Sequence, residues 1–273
     1  MMRRLEFART RRGHLLRHRR LLSVLALVAA PAFARAAPPR LVAVAVAANL
    51  KPAFEELATR FQASRPGVEV RATYGASGSF FAQLANGAPF DLFLSADAEF
   101  PARVVEQGLA DGKAFTYAYG KLVVWVPNGS PVDLEAKGLA ALADPSVQRI
   151  AVANPDVAPY GRAARAALER AGLWERLRDR IVMGQNVSQT AQFVQSGNAQ
   201  AGFVPLSLAT IPPLSVEGRA WPVPGSSHER IEQAGVVLRG ARDVALAREL
   251  AAFLAGDAAR PVLERHGYGV PAR

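Results

Sequence analysis

Leu41-Val42-Ala43-Val44-Ala45-Val46-Ala47 runs straight into Ala48-Asn49-Leu50 and then into Lys51-Pro52-Ala53-Phe54-Glu55-Glu56-Leu57-Ala58-Thr59-Arg60-Phe61. The first seven residues are apolar and rich in valine, which predicts a buried strand. Ala53, Phe54, Leu57, Ala58 and Phe61 then recur at helical spacing, and Pro52 suits an early helical position. The chain therefore passes from strand to helix across a very short turn. The first N–H groups of a helix have no intrahelical partner, so such a turn is a ready anion site.

The same order recurs along the chain. Residues 68–72 alternate like a strand, and Gly75-Ala76-Ser77-Gly78-Ser79 leads to a short helix over 80–85, ended by Asn86-Gly87. Residues 91–95 and 122–127 read as buried strands. Residues 150–153 form a strand, Ala158-Pro159-Tyr160-Gly161 a turn, and 162–171 a helix stopped by Gly172. The strand over 181–183 turns at Gln185-Asn186-Val187-Ser188 into a helix over 189–194. A strand over 201–204, a Pro-, Gly- and Ser-rich loop over 211–227, a last strand over 234–238 and helices over 244–255 and 258–266 complete the chain. Alternating strands and helices predict an α/β fold, with mostly parallel sheets and helices on both faces. We expect two lobes, one of residues 37–119 with 237–273 and one of 120–236, and a ligand cleft between them at the C-terminal strand ends.

Four strand-to-helix turns, two per lobe, thus face the expected cleft, and none contains Lys or Arg. That pattern points to an oxyanion held by neutral dipoles. Asn49, Ser77 and Ser79 also stand where helix N-caps are expected, and Gly78 allows close backbone approach. Capping alone would explain any one of these turns, but four in two lobes point to a shared ligand.

Composition removes other classes. The chain of 273 residues has no cysteine, which excludes disulfides, thiol catalysis and Cys-ligated zinc. Four histidines, two of them in the first 18 residues, give no metal-ligand spacing. Of the net charge of +10, residues 1–36 carry +8 and the rest only +2, so no basic stripe for nucleic acid is expected. Residues 1–36 have an Arg-rich start, an apolar run over 21–30 and Ala34-Arg35-Ala36 before Ala37, the layout of a cleaved export signal. The apolar run is shorter than a membrane span. Periplasmic, monomeric protein is the expectation.

Val46-Ala47-Ala48-Asn49-Leu50, Tyr74-Gly75-Ala76-Ser77-Gly78-Ser79 and the segment Asn86-Gly87-Ala88-Pro89-Phe90-Asp91-Leu92-Phe93-Leu94-Ser95-Ala96-Asp97 resemble the molybdate-binding proteins of ABC transporters. The resemblance continues through Asn154-Pro155, Pro159-Tyr160-Gly161, Asn186-Val187, Ala259, Leu263 and His266-Gly267-Tyr268, and so covers nearly all of residues 37–273. It implies a bilobal type II periplasmic receptor that closes on one molybdate or tungstate and delivers it to an ABC permease. It implies ligand contacts from Asn49, Ser77, Tyr160 and Val187, the last through its N–H, with Ala48 and the Ser77 N–H as further candidates. It implies no catalytic residue, no metal ligand and no cofactor. Many relatives have a second-lobe tyrosine donor where this chain has Pro205, so that contact must be absent or replaced. Relatives of another type place a tyrosine at the position of Tyr160.

Other function classes fit the residues less well. A receptor for sulfate or phosphate shares the fold, but a site made only of donors rejects protonated phosphate, and sulfate is the smaller tetrahedron. Asp156, near the third turn, would be the acceptor that phosphate needs, and we read it as a solvated loop carboxylate. An exported hydrolase would use Ser77 with His228 or His266, but Gly75-Ala76-Ser77-Gly78 lacks the glycine spacing of a nucleophile elbow. A sensor that signals through a partner is a third class. Trp125, Trp174 and Trp221 read as packing residues. Tyr117 and Tyr119 alternate on one strand, without the adjacent pair of a ferric-iron site.

Overall fold

A computed structural model describes residues 39–272. The export signal expected over residues 1–36 lies outside them. The described chain runs β1 (Arg40–Ala47), α1 (Lys51–Ala63), β2 (Val68–Gly75), α2 (Ser77–Ala85), β3 (Leu92–Leu94), α3 (Glu99–Glu106) and β4 (Phe115–Gly120). It crosses to β5 (Leu122–Pro127), α4 (Leu134–Lys137), β6 (Ile150–Ala153), α5 (Pro159–Arg170), α6 (Trp174–Leu177), β7 (Ile181–Gly184) and α7 (Val187–Gln195). Then come β8 (Ala201–Pro205), α8 (Leu206–Ala209), α9 (Leu214–Glu217) and β9 (Gly218–Pro222). The chain returns through β10 (Ile231–Val237) to α10 (Val244–Ala255) and α11 (Arg260–Arg265).

Two five-stranded sheets result, ordered β2-β1-β3-β10-β4 and β7-β6-β8-β5-β9. They share one topology. Three parallel strands are followed by an antiparallel fourth that has just crossed from the other sheet. Parallel and antiparallel pairings are therefore equal in number, because each crossing strand is inserted against the parallel set.

The return crossing comes earlier than expected. Residues 231–236 belong to the first sheet, not to the 120–236 lobe, because β10 fills the gap between β3 and β4. The loop expected over 211–227 also holds α9 and β9. Gly218-Arg219-Ala220-Trp221-Pro222 has no strand pattern of its own and is a strand through its pairing with β5.

Strand alternation divides the first lobe's core in two. Val42, Val44 and Val46 of β1 pack with Phe54, Leu57 and Phe61 of α1 and with Leu246 and Leu250 of α10. Ala45 faces the other way and joins Phe80, Phe81 and Leu84 of α2 and Phe100 and Val104 of α3. The second lobe packs Val123, Trp125, Ile150, Val152 and Phe203 against Leu168 of α5 and Val194 of α7. Trp125 is buried and donates its indole N–H to the Leu214 carbonyl at 3.0 Å.

Register places the site. Ala47 of β1 pairs with Gly75 of β2, so the first two turns emerge side by side. Ala153 of β6 pairs with Gly184 of β7, and the other two do the same. α5 lies so close to the end of β6 that a Cβ on Gly161 would clash with the Ala153 carbonyl. Gly161→Ala should therefore push α5 off the sheet. Overpacking of this kind costs about 1–3 kcal/mol. In a thermal melt we expect Tm to fall by about 2–4 °C for each kcal/mol lost.

Candidate functional site

The four turns meet. Ala47, Ala48, Asn49, Gly75, Ala76, Ser77 and Ala96 from the first lobe line one cavity together with Ala158, Pro159, Tyr160, Asn186 and Val187 from the second. The cavity is about 10 Å³, on a measure where about 10–15 Å³ admits a single water. At that size it holds no more than about one water, and a peptide or a sugar does not fit. Among the described residues no Lys, Arg, Asp or Glu lines it.

The helices begin inside the turns, earlier than their spacing suggests. α2 starts at Ser77, α5 at Pro159 and α7 at Val187. Their first N–H groups have no carbonyl within the helix to bond. At α7 the Asn186 side chain takes the N–H groups of Ser188 and Gln189 at 3.0 and 3.1 Å, and Val187 lines the cavity. Asn186 is the one side-chain cap among the four turns.

Asn49 and Ser77 are not caps. Ala47 precedes a turn of 3-10 helix over Ala48–Leu50, and Ala76 is the N-cap of α2. Ser77, 1% exposed, instead accepts the Ala96 N–H on its Oγ at 2.9 Å. With a lone pair so engaged, its own proton is free to be donated. Tyr160, 2% exposed, is arranged alike: its Oη accepts an N–H from Gln233 Nε2 at 2.9 Å. Burial, with Tyr268 nearby, pushes the Tyr160 hydroxyl well above the usual tyrosine range, so it stays a donor.

Asn49 has a different task from the one expected of its side chain. Its amide donates to Gln233 Oε1 at 2.8 Å and to Tyr268 Oη at 3.0 Å, which uses both Nδ2 hydrogens. Its backbone carbonyl accepts from Tyr268 Oη at 2.7 Å and from Ser207 Oγ at 2.9 Å. Ala48 and Asn49 line the cavity at the start of the helical segment.

Gln233, Tyr268, Ser207 and Gly120 are not among the site residues that the sequence points to. Gln233 had a signal, being a polar side chain in the otherwise apolar run Gln233-Ala234-Gly235-Val236-Val237. Gly120 had none. A Cβ there would clash with Tyr160 Oη and lie 2.6 Å from Gln233 Nε2.

Several contacts cross between the lobes. Gly78 N–H donates to the Val157 carbonyl at 2.9 Å, and Arg162 of α5 pairs with Asp97 beyond β3. Burial pushes the Asp97 carboxyl up, opposed by hydrogen bonds from Ser95 and the Phe100 N–H and by the Arg162 charge. Asp156 is exposed and stays outside the cavity. Pro205 ends β8 and does not line it. Neither His228 nor His266 lines it: His228 Nδ1 lies 2.7 Å from the Glu229 carbonyl, and His266 Nε2 lies 3.4 Å from Glu56. Among the described residues no group of three His, Cys, Asp or Glu side chains is placed to hold a metal ion.

The sequence model of the bacterial extracellular solute-binding proteins matches residues 42–269. Molybdate-binding protein ModA of Azotobacter vinelandii is 38% identical over 230 residues, 84% of this chain and 90% of that protein. ModA of Rhodobacter capsulatus is 37% identical over 229 residues, 83% of this chain and 87% of that protein. The solved structure of the Azotobacter vinelandii periplasmic molybdate-binding protein superposes with a TM-score of 0.79 at 34% identity, covering 85% of this chain and 100% of that one. With sequence, fold and coverage agreeing over the same residues, the chain belongs to the family of bacterial extracellular solute-binding proteins.

Proposed function

We propose that this protein is a receptor outside the cytoplasm that binds molybdate or tungstate and hands it to the permease of an ABC importer. The observation that carries the reading is the meeting of four helix N-termini, from both lobes, on a cavity lined by neutral donors. The names of the relatives at 37% and 38% identity supply the choice of anion. The ligand set we assign is the N–H groups of Ala48, Asn49 and Val187, the N–H and O–H of Ser77, and the O–H of Tyr160. Tyr160 takes the place of the donor that Pro205 cannot supply. The protein is a monomer exported by the leader over residues 1–36, with no resident cofactor and no chemistry of its own.

A fully ionised tetrahedral oxyanion accepts from every direction and donates nowhere. Hydrogen bonds from neutral donors to a charged acceptor are strong, and no cationic side chain has to be buried. Phosphate near neutral pH carries a proton that needs an acceptor, and among the described residues no carboxylate lines the cavity. Sulfate is the smaller tetrahedron and leaves the donors of the two lobes farther from its oxygens.

Titration calorimetry should give one molybdate or tungstate per chain, with sulfate and phosphate much weaker. Equal or tighter binding of sulfate would assign the protein to another receptor class. Ser77→Ala and Tyr160→Phe should each weaken molybdate binding by about 1.5–3 kcal/mol, the range for a hydrogen bond to a charged group.

Because burial raises the Tyr160 hydroxyl above its ordinary value, the donor is not lost as pH rises. Affinity should stay flat from about pH 7 to about pH 9, below the ordinary tyrosine pKa of about 10. A loss of affinity across that range would mean that the hydroxyl ionises in the site. Asn49→Ala should act differently from Ser77→Ala. It removes two buried hydrogen bonds that exist without ligand, so urea unfolding of the ligand-free protein should show a loss of about 1–3 kcal/mol.

A further inference from the structure

Gln233 is 0% exposed, does not line the cavity, and touches two residues that do. Its amide orientation follows from its neighbours. The Asn49 carbonyl only accepts, and Tyr268 Oη lies 2.7 Å from it and 3.1 Å from Ser207 Oγ, so the one Tyr268 proton is committed to that side. Tyr268 then accepts from the Asn49 amide, which fixes Asn49 Nδ2 toward it. The second Nδ2 hydrogen faces Gln233 and requires an acceptor, so Oε1 of Gln233 is placed there. Tyr117 has one proton for two acceptors, the Ser95 carbonyl at 2.8 Å and the same Oε1 at 3.1 Å, so the orientation rests on Asn49 and not on Tyr117. Nε2 is left facing Tyr160 Oη, where it can only donate.

We propose that Gln233 is the positioning residue that makes Tyr160 an anion donor, and that it does so only when the lobes are closed. This rests on the oxyanion-receptor reading. A tyrosine hydroxyl can present either a proton or a lone pair to a ligand. By filling a lone pair with an N–H, Gln233 leaves the proton to the anion and removes the repulsive orientation. Gln233 stands on β10 of the first sheet and Tyr160 on α5 of the second lobe, so the bond crosses the cleft. Two backbone features serve this contact. The register of β10 against β4 shifts between Gln233 and Ala234, an irregularity that re-aims the side chain. Gly120, which lacks a Cβ, opens the space in which the two polar groups meet.

The test is a double-mutant cycle read by molybdate titration on Gln233→Met, Tyr160→Phe and the double variant, with far-UV circular dichroism to check folding. Each single change should weaken binding about tenfold or more, the loss of one charge-assisted hydrogen bond. The double variant should bind within about threefold of Tyr160→Phe alone, because the two changes remove one function; independent changes would multiply instead. Multiplied effects, or Gln233→Met binding like the parent, overturn the inference while leaving the receptor reading in place. A parent protein that does not bind molybdate overturns both. If Gln233→Met does not fold, the isosteric Gln233→Glu replaces it, since it keeps an acceptor for Asn49 and offers Tyr160 an acceptor in place of a donor. Its loss of affinity should then shrink severalfold once Tyr160→Phe is present, and an unchanged loss overturns the inference.

Discussion

A charged acceptor enclosed without a countercharge can be held only if every polar group around it points a proton inward. An unmatched lone pair or an unpaired anion oxygen in such a place costs several hydrogen bonds' worth of free energy. The cavity answers this by occupying the lone pairs of its own side chains with protein N–H groups. Ala96 N–H takes the Ser77 oxygen, Gln233 takes the Tyr160 oxygen, and the N–H groups of Ser188 and Gln189 take Asn186 Oδ1. The lining that remains includes the hydroxyl-bearing Ser77 and Tyr160 and the first residues of the helices.

That requirement also shapes the lobe interface. Contacts across it are mostly neutral and polar: Gln233 to Tyr160, Ser207 to Asn49, Gly78 to Val157. The apolar core of the second lobe also takes in Ala47, Ala48, Ala96 and Ile231 from the first, while two further clusters lie within the first lobe. An interface of this kind permits relative motion of the lobes, as a cleft that admits and releases a ligand requires. The Arg162–Asp97 pair at its edge has a partly exposed arginine, which limits its contribution to stability. Its placement outside the cavity keeps the arginine charge from serving as a ligand and leaves selectivity to the donors.

The pairing of strands brings the donors together. β1 and β2 end in register, as do β6 and β7, and each ends in a helix start. A one-residue slip in either pair would turn the flanking side chains to the opposite face and separate the turns. The apolar sheet cores that hold this register are thus as necessary to the site as the residues lining it.

The sequence by itself determined a good deal. The valine-rich run of β1, the helical spacing of Phe54, Leu57 and Phe61, and the recurrent short turns named the α/β architecture and the four turns. Local chemistry suffices there, because apolar periodicity and turn residues act over a few positions. The absence of cationic residues from those turns already pointed to neutral recognition of an anion. Only the tertiary structure decided which polar atoms point where. Asn49 and Ser77 looked like caps, yet one donates to Gln233 and Tyr268 within its own lobe and the other accepts an N–H from Ala96, which is 19 residues away in sequence. Gln233 lies 184 residues from Asn49 and 73 from Tyr160, and Gly120 matters because of what packs against it. Hydrogen-bond direction is settled by partners, and partners so distant in the chain meet only through the fold.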